Sequence, residues 1–370
     1  MIKIPEWILN LKPYIPGKPI SELAREKSLE KIVKLASNEN PLGPSPRAMK
    51  AVIEGLPDAH RYVDRAAPEL VSKIAAKFGK NPDQIICGHG VDALLGYILN
   101  AFTRENDEVV TSEGSFIGIY VNTRKLGRNL SLVPLKNYAF DLEAILSSIS
   151  SGTRVIYLAN PNNPTGTIFT KVQFEAFIDR VPDDILVVLD EAYTEFASKD
   201  PDFPNGLDYD YDNLIITRTL SKSYGLAGLR VGFAAGPERI ISELYKVKLP
   251  FEPNYAAQKA AIAALDDNEF LERTLLVNEK SLNRMTAKFD EIGIKYVNTH
   301  ANFLLMIMPS EKLAESFNEE CLNLGLILRH VKPFGIPNGI RINSSTEDET
   351  EFALNVIEKV YLRLSRSSSS

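Results

Sequence analysis

Lys222 lies in the stretch T-R-T-L-S-K-S-Y-G-L-A-G-L-R-V-G, residues 217–232, where hydroxyls at Thr219 and Ser221 flank its amine and Arg230 follows downstream. An amine can condense with an aldehyde, while arginine and hydroxyl donors hold a phosphate through charge-assisted hydrogen bonds. The set suits a phosphorylated aldehyde. A lone lysine in a polar loop is ordinarily a surface residue, so the weight comes from two further stretches. The apolar run Val187, Val188, Leu189 ends in Asp190 with Tyr193 just beyond, and N-P-N-N-P-T-G, residues 160–166 with Asn163 inside it, follows the apolar run 155–159. Each run ends on groups able to do chemistry.

The elements that must position these groups are legible as periodicity. Leu214, Ile215 and Ile216 precede the lysine stretch and residues 231–235 follow it, two strand-type runs that leave Lys222 on the loop between them. Residues 142–149 and 174–178 have helical spacing, and 155–159 and 185–190 read as strands. Such alternation predicts βαβ units and a mostly parallel sheet covered on both faces. The carboxyl ends of parallel strands line one crevice, which would bring Asn163, Asp190 and Lys222 together.

Upstream, a helix is expected over 66–78, a strand over 84–87, then Gly88-His89-Gly90-Val91-Asp92 and a helix with apolar residues at 94, 95, 98, 99 and 102. A strand, a Gly-rich turn and a helix start make an anion site, here built on the backbone N–H groups of Val91 and Asp92. No G-x-G-x-x-G opens that helix, so a dinucleotide fingerprint is absent. Residues 109–111 read as a strand leading to Ser115 and Phe116. A helix over 275–292 crosses into a second domain, where short strands at 303–306 and 326–328 alternate with helices, the last of them amphipathic over 352–364. Arg329 and Arg341 punctuate this part. No internal repeat is visible.

At 370 residues the chain exceeds one comfortable core, so one large and one smaller domain are expected. Hydrophobic residues at 44%, charged residues at 24% and a net charge of −6 exclude a disordered chain and any global attraction to nucleic acid or an anionic membrane. Cys87 and Cys321 are far apart and read as buried reduced thiols, without a disulfide. No metal site is expected. The first residues lack the apolar core of a signal peptide and no stretch approaches a membrane span, which reads as a cytoplasmic protein. Proline density predicts that residues 1–45 form an extended arm rather than a helix, and the closing serines, 367–370, a frayed tail.

The motifs N-N-P-T-G, D-E-A-Y and S-K-x-x-G-L-A-G-L-R, in this order and at these distances, resemble those of the fold-type I aminotransferases that use pyridoxal 5'-phosphate. Two phrases of the arm, L-K-P-Y-I-P-G-K-P-I (11–20) and L-A-S-N-E-N-P-L-G-P-S-P (35–46), resemble the histidinol-phosphate aminotransferase branch. The resemblance implies an α/β fold: a three-layer α/β/α large domain with a mostly parallel sheet over 46–274. A smaller α+β domain would be built from the arm, 1–45, and residues 275–366, leaving 367–370 as a disordered tail. It implies that Lys222 carries the aldehyde and then shuttles the α-proton, that Asp190 faces the ring nitrogen, and that Asn163 and Tyr193 face the ring oxygen. Phe116 would stack on the ring. Val91, Asp92, Thr219, Ser221 and Arg230 would hold the cofactor phosphate, joined by Tyr62 of the partner subunit in a homodimer. Tyr14, Asn40, Arg329 and Arg341 would meet the substrate.

This branch implies transamination of histidinol phosphate with 2-oxoglutarate, giving imidazole-acetol phosphate and glutamate; an aromatic amino-acid aminotransferase and a threonine-phosphate decarboxylase share much of the pattern and stay open. A cofactor-binding regulator is the reading from another class, and it calls for a DNA-reading module that the sequence does not display. The chain departs from the branch at Val91, where a hydroxyl is usual, at Phe116, where tyrosine is common, at Val63 in the R-Y-P-D element, and at Asn343-Ser344-Ser345, where T-x-G is usual.

Overall fold

The structure, a computed structural model, describes residues 2–11, 20–27 and 29–367. In chain order its strands are β1 (Val33–Lys34), β2 (Ile85–Gly88), β3 (Glu108–Ser112), β4 (Asn129–Val133), β5 (Thr153–Ala159), β6 (Leu186–Asp190) and β7 (Leu214–Thr219). There follow β8 (Gly232–Ala235), β9 (Lys295–Val297), β10 (Phe303–Ile307), β11 (Leu326–Ile327), β12 (Arg329–His330) and β13 (Gly339–Asn343).

Seven strands form the central sheet in the order β2-β8-β7-β6-β5-β3-β4. Neighbours run parallel except around β8, which is antiparallel to both β2 and β7. Every residue of β6 and β7 is buried, which requires cover on both faces and explains why these strands are unbroken apolar runs rather than alternating ones. This is the expected three-layer α/β/α architecture. Register fixes the site's first coordinate: Asp190 is flanked across the ladder by Ala159 on β5 and Thr217 on β7.

The expected helices occur as Pro68–Phe78, Gly90–Phe102, Leu142–Ser147, Lys171–Ile178, Asn268–Ile292 and Glu347–Ser367. Their ends follow local chemistry. Thr170 and Gln173 form a reciprocal capping box at the start of Lys171–Ile178. Asp267 caps Asn268–Ile292, and Gly293, at φ 77°, ends it in the left-handed conformation that glycine tolerates.

Among the described residues most buried apolar side chains collect in two cores, with smaller clusters beside them. One lies around the central sheet; the other joins Met285, Phe289, Phe317 and Ile357 with Val33 and Leu35 of the N-terminal segment. The second core covers the antiparallel sheet β12-β13-β10-β9. β1 reaches it by pairing in parallel with β11. The strand expected over 326–328 stops at Ile327 as β11, and beyond Leu328 the chain enters β12, which joins a different sheet.

The Pro-rich arm differs from expectation, since it contains the short helices Glu6–Leu9 and Ile20–Glu26. Pro5 stands at the N-cap of the first, where a missing N–H removes no helical bond. Residues 37–45 have neither helix nor strand and lie against the loop that follows Lys222. A Cβ at Gly225, φ 70°, would stand 2.1 Å from the carbonyl oxygen of Gly43, so the approach needs glycine.

Gly225→Ala should therefore cost more than the 1 to 3 kcal/mol or so of left-handed strain alone. Gly43, at φ 73° with nothing within 4 Å of its virtual Cβ, supplies the control. Thermal melting should place Gly225→Ala below Gly43→Ala; equal melting points would mean that the 37–45 segment does not rest on the lysine loop.

Candidate active site

The carboxyl ends of β5, β6 and β7 open into a cavity of about 260 Å³ lined by Asn163, Asp190 and Lys222 together, as the strand topology requires. Lys222 Nζ donates to the carbonyl oxygen of Ser37 at 3.1 Å and lies 6.0 Å from the centre of the Tyr193 ring. Burial, helped by the cations of Arg341 and Arg230, lowers its ammonium to about 8. A lysine with that value presents far more neutral amine near pH 7 than a solvated one, and the neutral amine is the nucleophile.

Asp190 is 4% exposed. Its Oδ2 accepts from the Tyr157 hydroxyl at 2.6 Å and its Oδ1 from the Ala192 N–H at 3.1 Å. Burial raises the carboxyl to about 6 in spite of these hydrogen bonds. A positive group brought beside it would pull that value back down.

One end of the cavity is built for an anion. The helix Gly90–Phe102 starts there, and His89 at its N-cap makes no side-chain bond to the first turn, so those amides can face a ligand. Gly90, at φ 77°, is needed because a Cβ would stand 2.6 Å from Arg230 Nη2. Arg230 is itself left-handed, φ 57°; its Nη1 donates to Ala227 O at 3.2 Å and its Nη2 is 3.9 Å from the Asp92 carboxylate. Thr219 Oγ1 accepts from the Ser221 N–H at 3.1 Å, closing the turn that delivers both hydroxyls. Val91 and Phe116 also line the cavity. Val91 lacks a hydroxyl, but a helix-start amide needs none.

The other side comes from the second core. Arg341 on β13 donates to Asn163 Oδ1 at 2.5 Å and to Ala36 O at 2.7 Å. Arg329 on β12 stands opposite Arg341 in the ladder, and both line the cavity. The Tyr193 hydroxyl accepts from Asn38 Nδ2 at 2.8 Å, and the Asn38 N–H donates to Asn343 Oδ1 at 3.1 Å.

Among the described residues, Asn40 departs from expectation, whereas Tyr62 is expected in a partner's site rather than in this one. Asn40 does not line the cavity: its Nδ2 donates to Ser223 O at 3.0 Å and to Thr274 Oγ1 at 3.1 Å, while its Oδ1 accepts from the Leu42 N–H at 3.0 Å. The left-handed Asn38, φ 54°, turns the chain so that Asn38 takes the cavity position and Asn40 braces the back of the lysine loop. Tyr62 is 83% exposed, outside this cavity, and stacks on Phe251 at 4.4 Å. Tyr14 falls outside the described residues. Sequence reasoning passed over Tyr157, Ser37 and the cavity position of Asn38. For Tyr157 one signal existed, since strand alternation puts it on the same face as Ala159 at the end of β5.

The family model for aminotransferase class I and II matches residues 30–357. The chain belongs to this family. A histidinol-phosphate aminotransferase of Caldicellulosiruptor saccharolyticus is 42% identical over 96% of this chain and 99% of its own length. Histidinol-phosphate aminotransferase 2 of Hydrogenovibrio crunogenus is 40% identical over 95% of each chain. Among solved structures, histidinol-phosphate aminotransferase from Sinorhizobium meliloti in complex with pyridoxal-5'-phosphate matches with a TM-score of 0.91 at 27% identity, covering 98% of this chain and 99% of that one.

Pyridoxal 5'-phosphate is the cofactor of this aminotransferase, and the residues present fit it. Arg230 and a helix start can hold the phosphate, Lys222 can meet the aldehyde, and the buried Asp190 carboxylate can face a ring cation. The Asn38 Oδ1 atom, buried and without a partner in the structure, points to a further polar group in the filled site.

The lowered lysine predicts a pH dependence. Below about 8 Lys222 is ammonium and above it a neutral amine. The rate at which apoprotein captures pyridoxal 5'-phosphate, followed by visible absorbance, should rise with pH and level off above about 8. Lys222→Ala should keep the fold and lose this covalent signal.

Proposed function

We propose that this aminotransferase takes histidinol phosphate as amino donor and 2-oxoglutarate as acceptor, yielding imidazole-acetol phosphate and glutamate. The observation that carries the reading is the pair Arg329 and Arg341, opposite one another on adjacent strands and facing the cavity that holds Lys222. Histidinol phosphate is dianionic at one end and 2-oxoglutarate carries two carboxylates, so each offers anions for charge-assisted bonds. Near-full-length relatives carrying the histidinol-phosphate aminotransferase name support the same choice.

Bound pyridoxal 5'-phosphate supplies an aldehyde to take up the amino group and a ring that draws electrons from the adjacent carbon. This chain's residues do the rest. Arg230, the Thr219 and Ser221 hydroxyls and the Val91 and Asp92 amides hold the phosphate. Asp190 would hold a proton at the ring nitrogen by opposite charge, Asn163 and Tyr193 would bond the ring oxygen, and Phe116 would offer a face for the ring to stack on. Lys222 moves the proton from the substrate α-carbon as a general base poised by its lowered ammonium.

The reading includes a large domain over 46–274 and a small one formed by 1–45 and 275–366, with the cavity between them. It also includes a cytoplasmic homodimer. In that dimer Tyr62 would enter the site of the second copy, a role supported by its exposure on Phe251 and by the apolar surface that Met49, Ile53 and Leu56 offer nearby in sequence. Among the described residues no helix is long and apolar enough to cross a membrane.

A panel of amino donors assayed with 2-oxoglutarate tests the substrate. Histidinol phosphate should exceed phenylalanine, tyrosine and leucine in kcat/KM by roughly 100- to 10,000-fold, two charge-assisted bonds at about 1.5 to 3 kcal/mol each. Faster turnover of phenylalanine or tyrosine overturns the assignment, as does release of carbon dioxide from threonine phosphate. Mixing Tyr62→Ala chains with Lys222→Ala chains should restore activity that neither has alone, because one site of the mixed dimer then holds neither lesion.

A further inference from the structure

We propose that Tyr157 is a positioning residue for the reaction: its hydroxyl fixes the Asp190 carboxylate in the rotamer that faces the cavity and stabilises the negative charge there. Tyr157 belongs to no motif, and its ring sits in the main core with no measurable exposure. A core aromatic at that place would do as well as phenylalanine. The hydroxyl, however, stands 2.6 Å from Asp190 Oδ2, and Tyr157 and Asp190 line the same cavity.

The arrangement divides the carboxylate's lone pairs. Oδ2 is held by the phenol on β5 and Oδ1 by the Ala192 amide just past the end of β6, two anchors that together fix the plane of the group. A carboxylate accepts more than two hydrogen bonds, so capacity remains for a ring N–H. Burial and the neighbouring Asp190 charge push the phenol of Tyr157 far above its ordinary value, so it remains a donor at any working pH.

Other groups set the same charge. The Thr217 hydroxyl on β7 favours ionisation of Asp190, and Asp92 on the helix Gly90–Phe102 opposes it. Tyr193 and Lys222, on the loops after β6 and β7, share the cavity. Of the titratable groups around Asp190, Tyr157 makes the direct hydrogen bond to the carboxylate, at 2.6 Å.

The proposal rests on the aminotransferase reading, but its decisive measurement needs neither cofactor nor substrate. In apoprotein with carbon-13 at the aspartate carboxyls, the Asp190 signal is assigned by its loss in Asp190→Asn. Tyr157→Phe should move its titration midpoint up by roughly one unit, since a hydrogen bond to the charged form is lost. In holoenzyme the same change should lower kcat roughly 10- to 100-fold, with the donor KM near its parent value, and shift the acidic limb of the kcat profile to higher pH. An unmoved Asp190 midpoint overturns the proposal even if kcat falls, because loosened packing alone would slow the enzyme. Should Tyr157→Phe fail to fold, difluorotyrosine at 157 keeps the donor and makes it stronger. It should move the midpoint down; no movement again overturns the proposal.

Discussion

Loss of water is the constraint on which this site depends. Lys222 and Asp190 share one cavity, yet burial pushes each toward its neutral form, the amine down to about 8 and the carboxyl up to about 6. Two opposite charges at the same place would ordinarily pair and leave a lysine too fully protonated to attack and a carboxylate already satisfied. Here Lys222 donates to a backbone carbonyl while Asp190 takes a phenol and an amide. Each group keeps its reactive capacity because its partners are neutral.

Holding the two apart while excluding water demands material from three parts of the chain. The central sheet supplies the strand ends. The second core supplies Arg341, tied to Asn163 across the cavity, and the N-terminal segment supplies Ser37 and Asn38. Asn40 and the Gly43–Gly225 contact then fasten that segment to the lysine loop. The site is thus a closure between cores, in which buried polar groups find partners mainly across the seam; a single misplaced segment would leave several of them unpaired.

That division explains what could be read from sequence. Strands β6 and β7 are buried along their length, as is β5 beyond Arg154, so their apolar runs and polar ends were legible, and with them Asn163, Asp190 and Lys222. The arm was harder. Its prolines argue for extension, but the helices Glu6–Leu9 and Ile20–Glu26 form regardless, and the partners of residues 37–45 lie about 150 to 300 positions away. Nothing local distinguishes Asn38 from Asn40; only the left-handed turn at Asn38 does, and asparagine tolerates that conformation at either place. Tyr157 was hidden for a different reason. An aromatic in a buried strand is the default core residue, and its hydroxyl acquires meaning only from the register that sets β5 beside Asp190.

The same seam accounts for a departure from the branch's pattern. Asn343, in place of the usual threonine, turns its Oδ1 to the Asn38 N–H, and the next two residues bond inward as well: the Ser344 N–H to Asn302 O at 2.9 Å and the Ser345 N–H to Ser281 Oγ at 3.0 Å. Asn302 in turn donates through Nδ2 to Asn38 O at 3.2 Å. None of these three positions lines the cavity. Their chemistry is spent on seating Asn38 beneath Tyr193, so the change lies behind the substrate's surroundings rather than among them. By contrast Phe116 does line the cavity, and exchanging a phenol for a phenyl there removes a polar group while leaving a ring face for stacking. Of the departures, Phe116 and Val91 line the cavity and are placed to alter what the site binds, whereas Asn343, Ser344 and Ser345 alter how the site is held.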